Sequence, residues 1–124
     1  MSRINDFRDL IVWQKSHELF LKIVSDVENF PSTIAGKVIT DQILRSSGSI
    51  SANISEGFGR HQGKEYTHYL IVARGSATET LNWLIKSRDL GWIDEEVYSE
   101  RESLMTEILK MLNSLIGKKI HETH

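Results

Sequence analysis

Glu65-Tyr66-Thr67-His68 carries the residue pair whose spacing best suits chemistry. A carboxylate and an imidazole three residues apart share one face of a helix. Glu-x-x-His pairs hold the metals of ferritin-like bundles, where two such pairs and two further glutamates project inward. This chain has no second Glu-x-x-His, and its other helical stretches offer no glutamates phased inward at matching depth. Glu65 therefore reads as a helix-start carboxylate and His68 as a partly exposed polar residue, with no metal and no other cofactor expected. Gly57, Gly59 and Gly63 echo a dinucleotide-binding loop, but the spacing is wrong and no strand precedes them. There is no Gly-x-Ser-x-Gly elbow, Walker loop or His-Glu-x-x-His, and no histidine or acid is spaced to activate a serine. The lack of cysteine removes disulfides, thiolate metal sites and cysteine nucleophiles. His17 falls on an apolar stripe and reads as a hydrogen-bonded core histidine. Trp13, Trp83 and Trp92 read as fillers of helix contacts. The expectation is a chain that is not an enzyme, with no small-molecule substrate identified.

A polar constellation remains: Gln42, Arg45, Asn53, Glu56, Arg60 and Glu65. Asn53 and Glu56 share a helix face, and Arg45 lies two turns earlier on a similar azimuth. At a bundle end such groups satisfy carbonyls and pin a glycine-rich loop through charge-assisted bonds. Their other use is to display charge to a phosphate backbone. Fifteen basic against 17 acidic residues leave a net charge of −2, whereas proteins that bind nucleic acid usually carry a basic excess. Between Lys37 and Arg74, however, five basic residues stand against three acidic ones. Arg45, Arg60, His61, Lys64 and Arg74 are the candidate contacts to structured RNA or a ribonucleoprotein.

Helices must position these residues. The 124 residues, with 40% hydrophobic and 26% charged, fit one globular domain over residues 1–124, because two half-size cores would be marginal. Apolar residues recur with helical rather than alternating period. The pattern predicts helices over about 10–29, 37–56, 64–90 and 94–116, with a frayed tail at about 118–124. In the first, Leu10, Trp13, His17, Phe20, Val24 and Val27 form the expected inner stripe, with Asp9 as N-cap. Ile39, Ile43, Ile50 and Ile54 form that of the second, which is expected to end at Gly57 in the left-handed conformation with Phe58 beyond it. Tyr66, Leu70, Ala73, Ala77, Leu81 and Leu84 form that of the third, closed by Gly91 with Trp92 packing back. Asp94 is the expected N-cap of the fourth, and Gly117 its end. Short connections make successive helices antiparallel neighbours. The expected fold is all-α, an up-down-up-down antiparallel four-helix bundle. The start has no signal-peptide core, and the longest apolar run, Tyr69 to Ala73, is far too short to span a membrane. A cytoplasmic location is expected, with no membrane partner.

The run from Ser49 to Arg60, Ser-Ile-Ser-Ala-Asn-Ile-Ser-Glu-Gly-Phe-Gly-Arg, resembles the SIxxNIxEGxGR signature of the four-helix proteins encoded in intervening sequences of bacterial 23S ribosomal RNA genes. Further pieces agree in order: DLIVWQKS from Asp9, Phe30-Pro31, Gln42 and Arg45, Glu65-Tyr66, Gly75-Ser76 followed by Glu79, and Leu90-Gly91-Trp92-Ile93. The resemblance spans about residues 6–116. It implies a four-helix bundle assembled into a ring, typically a pentamer, with no attributed enzymatic activity. Gln42, Asn53, Glu56, Glu65 and Glu79 are the residues expected to form a structural polar network. A related branch, the accessory variability determinants of diversity-generating retroelements, is strongly basic and works with a reverse transcriptase. This chain departs from it in charge, and Ser32-Thr33-Ile34 stands where that branch often carries a glutamate.

The fourth helix bears on the expected homo-oligomer. Leu104, Ile108, Met111 and Leu115 make one apolar stripe; Met105, Leu109, Leu112 and Ile116 make a second beside it. A helix at the edge of a lone bundle needs one. The second stripe is the candidate oligomer interface, the other reading being a deeply buried helix. Two function classes follow: a ring-forming protein that contacts RNA, or a protein-interaction scaffold without nucleic-acid affinity.

Overall fold

A computed structural model describes residues 4–60 and 63–122. After a 3-10 turn at Phe7–Asp9 come four helices: α1 (Ile11–Val27), α2 (Ile34–Arg60), α3 (Gly63–Asp89) and α4 (Glu95–Glu122). Each packs on the next and α4 closes on α1; the backbones of the diagonal pairs, α1 with α3 and α2 with α4, do not approach closely. Cross-helix partners run in opposite numerical sense. Lys15 meets Glu107 while Asp26 meets Arg101, Ser46 meets Thr80 while Ser49 meets Ser76, and Arg74 meets Asn113 while Arg88 meets Tyr98. Neighbours are therefore antiparallel, and the molecule is the expected up-down-up-down bundle. No described helix is long and apolar enough to cross a membrane.

Several helix ends differ from expectation, and each difference has a local cause. α1 is not capped by Asp9: its N-cap is Leu10, without a side-chain cap bond, and Asp6 opens the 3-10 turn before it. The Asp6 carboxylate accepts from the Arg8 N–H at 2.8 Å, while Asp9 accepts from the Asp6 N–H at 3.2 Å, a reciprocal capping box. α2 starts at Ile34, because Thr33 Oγ1 accepts from the Gly36 N–H at 3.0 Å and caps it there. α2 also runs on through Gly57 to Arg60, so Gly57 is not a left-handed terminus. Among the described residues only Gly91 has a positive φ, 79°. There the expectation holds: the Gly91 and Trp92 N–H groups donate to the carbonyls of Arg88 and Ser87, both at 2.9 Å, which is the Schellman closure. The Trp92 ring lies 5.2 Å from that of Phe30 and joins the two loops at this end. Asp94 caps α4 as expected, accepting from the Val97 N–H at 2.8 Å. α4 passes through Gly117 to Glu122, beyond the expected end at Ile116, and the last two residues of the expected frayed tail, 123–124, lie outside the described residues. His61, expected in the loop after α2, lies outside the described residues.

The core is built by the stripes of α2 and α3 as expected, with Thr80 fully buried beside them and Leu81 at their edge. On α1 the inner stripe is Val12, Ser16, Leu19 and Ile23, one position off the expected one. Trp13 and Val27 flank the core, Phe20 is half-buried, and Val24 and His17 are exposed. Ser16 breaks the apolar look of the true stripe, but its hydroxyl donates to the Val12 carbonyl at 2.7 Å and so is buried without cost in unmet hydrogen bonds. His17 is not a core histidine; its ring stacks on the outside of Trp13 at 4.9 Å. On α4 both stripes face inward. Met105, Leu112 and Ile116 are buried in the bundle and Leu109 packs against it, so these residues are core and not the surface offered to a neighbour.

Two seams hold the helices. Between α2 and α3 the facing residues are small, and hydroxyls line the contact. Thr80 donates to Ser46 Oγ at 2.8 Å and Ser76 to Ser49 Oγ at 3.0 Å. At Gly57 an added Cβ would stand 2.8 Å from Tyr69 Cβ. Between α1 and α4 the tie is ionic. Arg101 donates twice to Asp26, both bonds 2.8 Å, with each side chain only 10% exposed. The Asp26 carboxylate first of all holds the Arg101 guanidinium above its ordinary pKa, against the effect of desolvation.

Two stability predictions follow from the seams. Gly57→Ala should cost about 1–3 kcal/mol, because α2 and α3 must separate to admit the methyl, and Gly57→Val more; denaturant melts read this. Arg101→Ala leaves a carboxylate buried and unpaired and should cost about 3–5 kcal/mol, whereas Arg101→Met with Asp26→Leu should recover most of it.

Candidate functional site

On α2, Gln42, Arg45, Ser49, Asn53, Glu56 and Arg60 recur at intervals of three and four, which places them on one face. On α3, Glu65, Tyr69, Val72, Ser76, Glu79 and Trp83 do the same. The Ser49–Ser76 bond, the approach of Arg60 to Glu65 at 3.9 Å and the seating of Arg60 over the Tyr69 ring at 5.6 Å bring the two faces together. They flank one groove along the outer side of the α2–α3 seam. Of the residues expected as a polar network, Gln42, Asn53, Glu56, Glu65 and Glu79 lie along it, and Arg60 stands between Glu56 and Glu65. In its middle, the Asn53 amide donates to the Ser49 carbonyl and hydroxyl, each at 2.8 Å. Toward the α2–α3 connection, Arg60 pairs with Glu56 at 3.1 Å. That carboxylate is the first cause holding Arg60 above its ordinary pKa. Toward the other end, Glu79 accepts from the Trp83 indole at 3.4 Å. Gln42 lies half-buried on the same face.

The candidate phosphate contacts do not form one patch. Arg45 is bound to Asp41 at 3.0 Å and lies fifteen residues before Arg60, about 22 Å along the helix. Arg74 donates to Asn113 of α4 at 3.0 Å, on the opposite side of α3 from the groove. Of the described candidates, Lys64, exposed in the first turn of α3, shares an end with Arg60. Arg45 and Arg60 thus have carboxylates beside them, and Arg74 an amide. Glu65 faces Arg60, and the His68 ring lies edge-on to Tyr69 at 5.5 Å. Among the described residues no three histidine or carboxylate side chains gather as metal ligands would.

Two further features escaped the sequence reading. An open apolar cavity of about 630 Å³ lies between the start of the chain and α4, lined by Ile4, Leu10, Ile11, Met111 and Leu115 with Lys110 at its rim. Large aliphatic side chains are also exposed: Leu21 and Val24 on α1, Ile34 and Val38 on α2, and Ile71 and Val72 on α3. The signal for them was arithmetical, since they are the apolar residues left over once each helix's inner stripe is assigned correctly.

The elements described make an all-α protein, an antiparallel four-helix bundle with a polar seam between α2 and α3. The chain belongs to the 23S rRNA-intervening sequence protein family, whose family model matches residues 8–114. It is similar to a crystal structure from Bacteroides thetaiotaomicron described as a protein with unknown function from the S23 ribosomal protein family. The two are 33% identical over 86% of this chain and 98% of that one, with a TM-score of 0.79. No curated protein matches this chain.

The Arg60–Glu56 pair is half exposed on both sides, and such pairs contribute little to stability. Arg60→Gln should therefore change unfolding free energy by less than about 1 kcal/mol. A larger loss in denaturant melts would make the pair a structural tie instead of a surface feature.

Proposed function

We propose that this chain is a non-catalytic structural subunit that associates with copies of itself, head to tail, into a closed ring. The observation that carries this reading is the exposure of aliphatic residues on two opposite sides of a bundle whose core is complete without them. Leu21 and Val24 lie on α1, Ile71 and Val72 on its diagonal partner α3. Burying each such side chain against another subunit contributes about 1.5–3 kcal/mol before the costs of association. Two different faces make a heterologous contact, which closes into a ring or runs on as a filament. The groove between α2 and α3 fits the same role. It holds no nucleophile beside a base, and its ion pairs are made within the chain.

Contact with structured RNA has less support. Arg45, Arg60 and Arg74 are dispersed and engaged, and the net charge is −2. Light scattering over the micromolar range should give a mass several times 14.2 kDa. Titration with fragments of ribosomal RNA should give no binding at physiological salt. Tight binding that weakens steeply between low and physiological salt would instead favour the RNA role.

A further inference from the structure

The cavity between the start of the chain and α4 measures about 630 Å³ and is separate from the polar groove. Small-molecule sites typically measure about 300–1,000 Å³ and are mostly apolar with a few placed polar groups. The floor of this one is apolar and held in place: Leu10 and Val12 are buried, and Met111 and Leu115 pack against the core. Its walls, Ile4 and Ile11, are 55% and 59% accessible and so have aliphatic surface left to cover. A flexible aliphatic chain gains most on such a lining, because each methylene moved out of water adds to binding and none needs a hydrogen-bond partner.

The polar residues that border the cavity differ in what they have left to offer. Asp9 Oδ2 already accepts from the Asn5 and Asp6 N–H groups, at 3.1 and 3.2 Å. Lys110 is exposed and makes no ion pair among the described residues. Its neighbours one turn away are taken: Glu107 pairs with Lys15 at 3.0 Å, and Asn113 accepts from Arg74 at 3.0 Å. Ser114, one turn beyond Lys110 on the same side of α4, adds a hydroxyl to this edge. An apolar cavity thus carries one uncommitted ammonium at its rim, while the carboxylate on the chain-start side is held by backbone amides. That pattern suits an apolar ligand ending in a single negative charge. A doubly charged phosphate would find one cation and Asp9 nearby, and a cationic head would be repelled by Lys110. The lining residues of α4, from Lys110 to Leu115, cover about 7.5 Å of helix, which matches a medium-length chain.

We infer that this cavity binds a medium-chain fatty acid, its acyl chain over Leu10, Val12, Met111 and Leu115 and its carboxylate at Lys110 and Ser114. The site lies within one chain, so it stands or falls apart from self-assembly.

Calorimetric titration of the full chain with sodium octanoate and decanoate, both below their micelle concentrations, tests this. Each should bind saturably, one per chain, with decanoate about tenfold the tighter for its extra methylenes. Lys110→Met keeps the stem and removes the charge. It should weaken decanoate about fivefold or more and leave the binding of decanol unchanged, and Lys110→Arg should restore decanoate. Ile11→Asp, at an exposed wall, should weaken both acid and alcohol without loss of helix by circular dichroism. Failure of both acids to bind saturably, equal affinity of Lys110→Met and wild type for decanoate, or decyltrimethylammonium binding as tightly as decanoate would each overturn the site. If decanoate does not bind and Ile11→Asp lowers the mass read by light scattering, the cavity is covered by another copy and the inference falls.

Discussion

The close approach of α2 and α3 is the constraint on which the rest of the bundle depends. It requires Gly57 to lack a side chain and Ser46, Ser49, Ala73, Ser76, Ala77 and Thr80 to be small. Residues this small bury little apolar area, so the seam gains instead from hydrogen bonds between hydroxyls in a dry setting and from contact between backbones. Serine and glycine are poor helix formers. Their concentration in the middle of a 27-residue helix shows packing outweighing propensity. The aliphatic burden then falls on the other faces: the isoleucines of α2 point to the centre, and α4 turns two stripes inward to fill what the small residues leave.

The polar groove follows from the same approach. With the backbones near each other, the outer margin of the seam has room for an amide and hydroxyls in line, and Asn53, Ser49 and Ser76 occupy it. Longer side chains belong where the helices reach their connection, and there Glu56, Arg60, Glu65 and Tyr69 meet. The family signature in the sequence is thus largely the record of one helix seam. Surface charge elsewhere is spent in short-range pairs, such as Arg45 with Asp41 and Lys15 with Glu107.

Much of this was legible from residues alone. The four helices, the stripe of isoleucines, the closure at Gly91 and the cap at Asp94 all rest on local signals of one meaning. What was not legible turned on signals with several meanings. A glycine can end a helix, admit a neighbour or leave a surface bare, and Gly91, Gly57 and Gly75 do these in turn. On α1 two apolar stripes lie side by side, and the true one contains Ser16, whose satisfied hydroxyl is invisible in sequence. On α4 the same duplication reflected depth of burial. The basic residues looked like one patch because closeness along the chain was read as closeness in space, whereas Arg45 and Arg60 lie far apart on α2 and Arg74 turns toward α4.

The two seams differ in the length of chain they close. Ser49 and Ser76 are 27 residues apart, and the α2–α3 pair is a hairpin with a minimal connection. Arg101 and Asp26 are 75 apart, so joining α1 to α4 requires the three-helix remainder to be in place. Contacts local in sequence form with less loop entropy lost than distant ones. The ionic seam is thus the contact whose closure costs the chain more loop entropy, and the hairpin the one that costs it less.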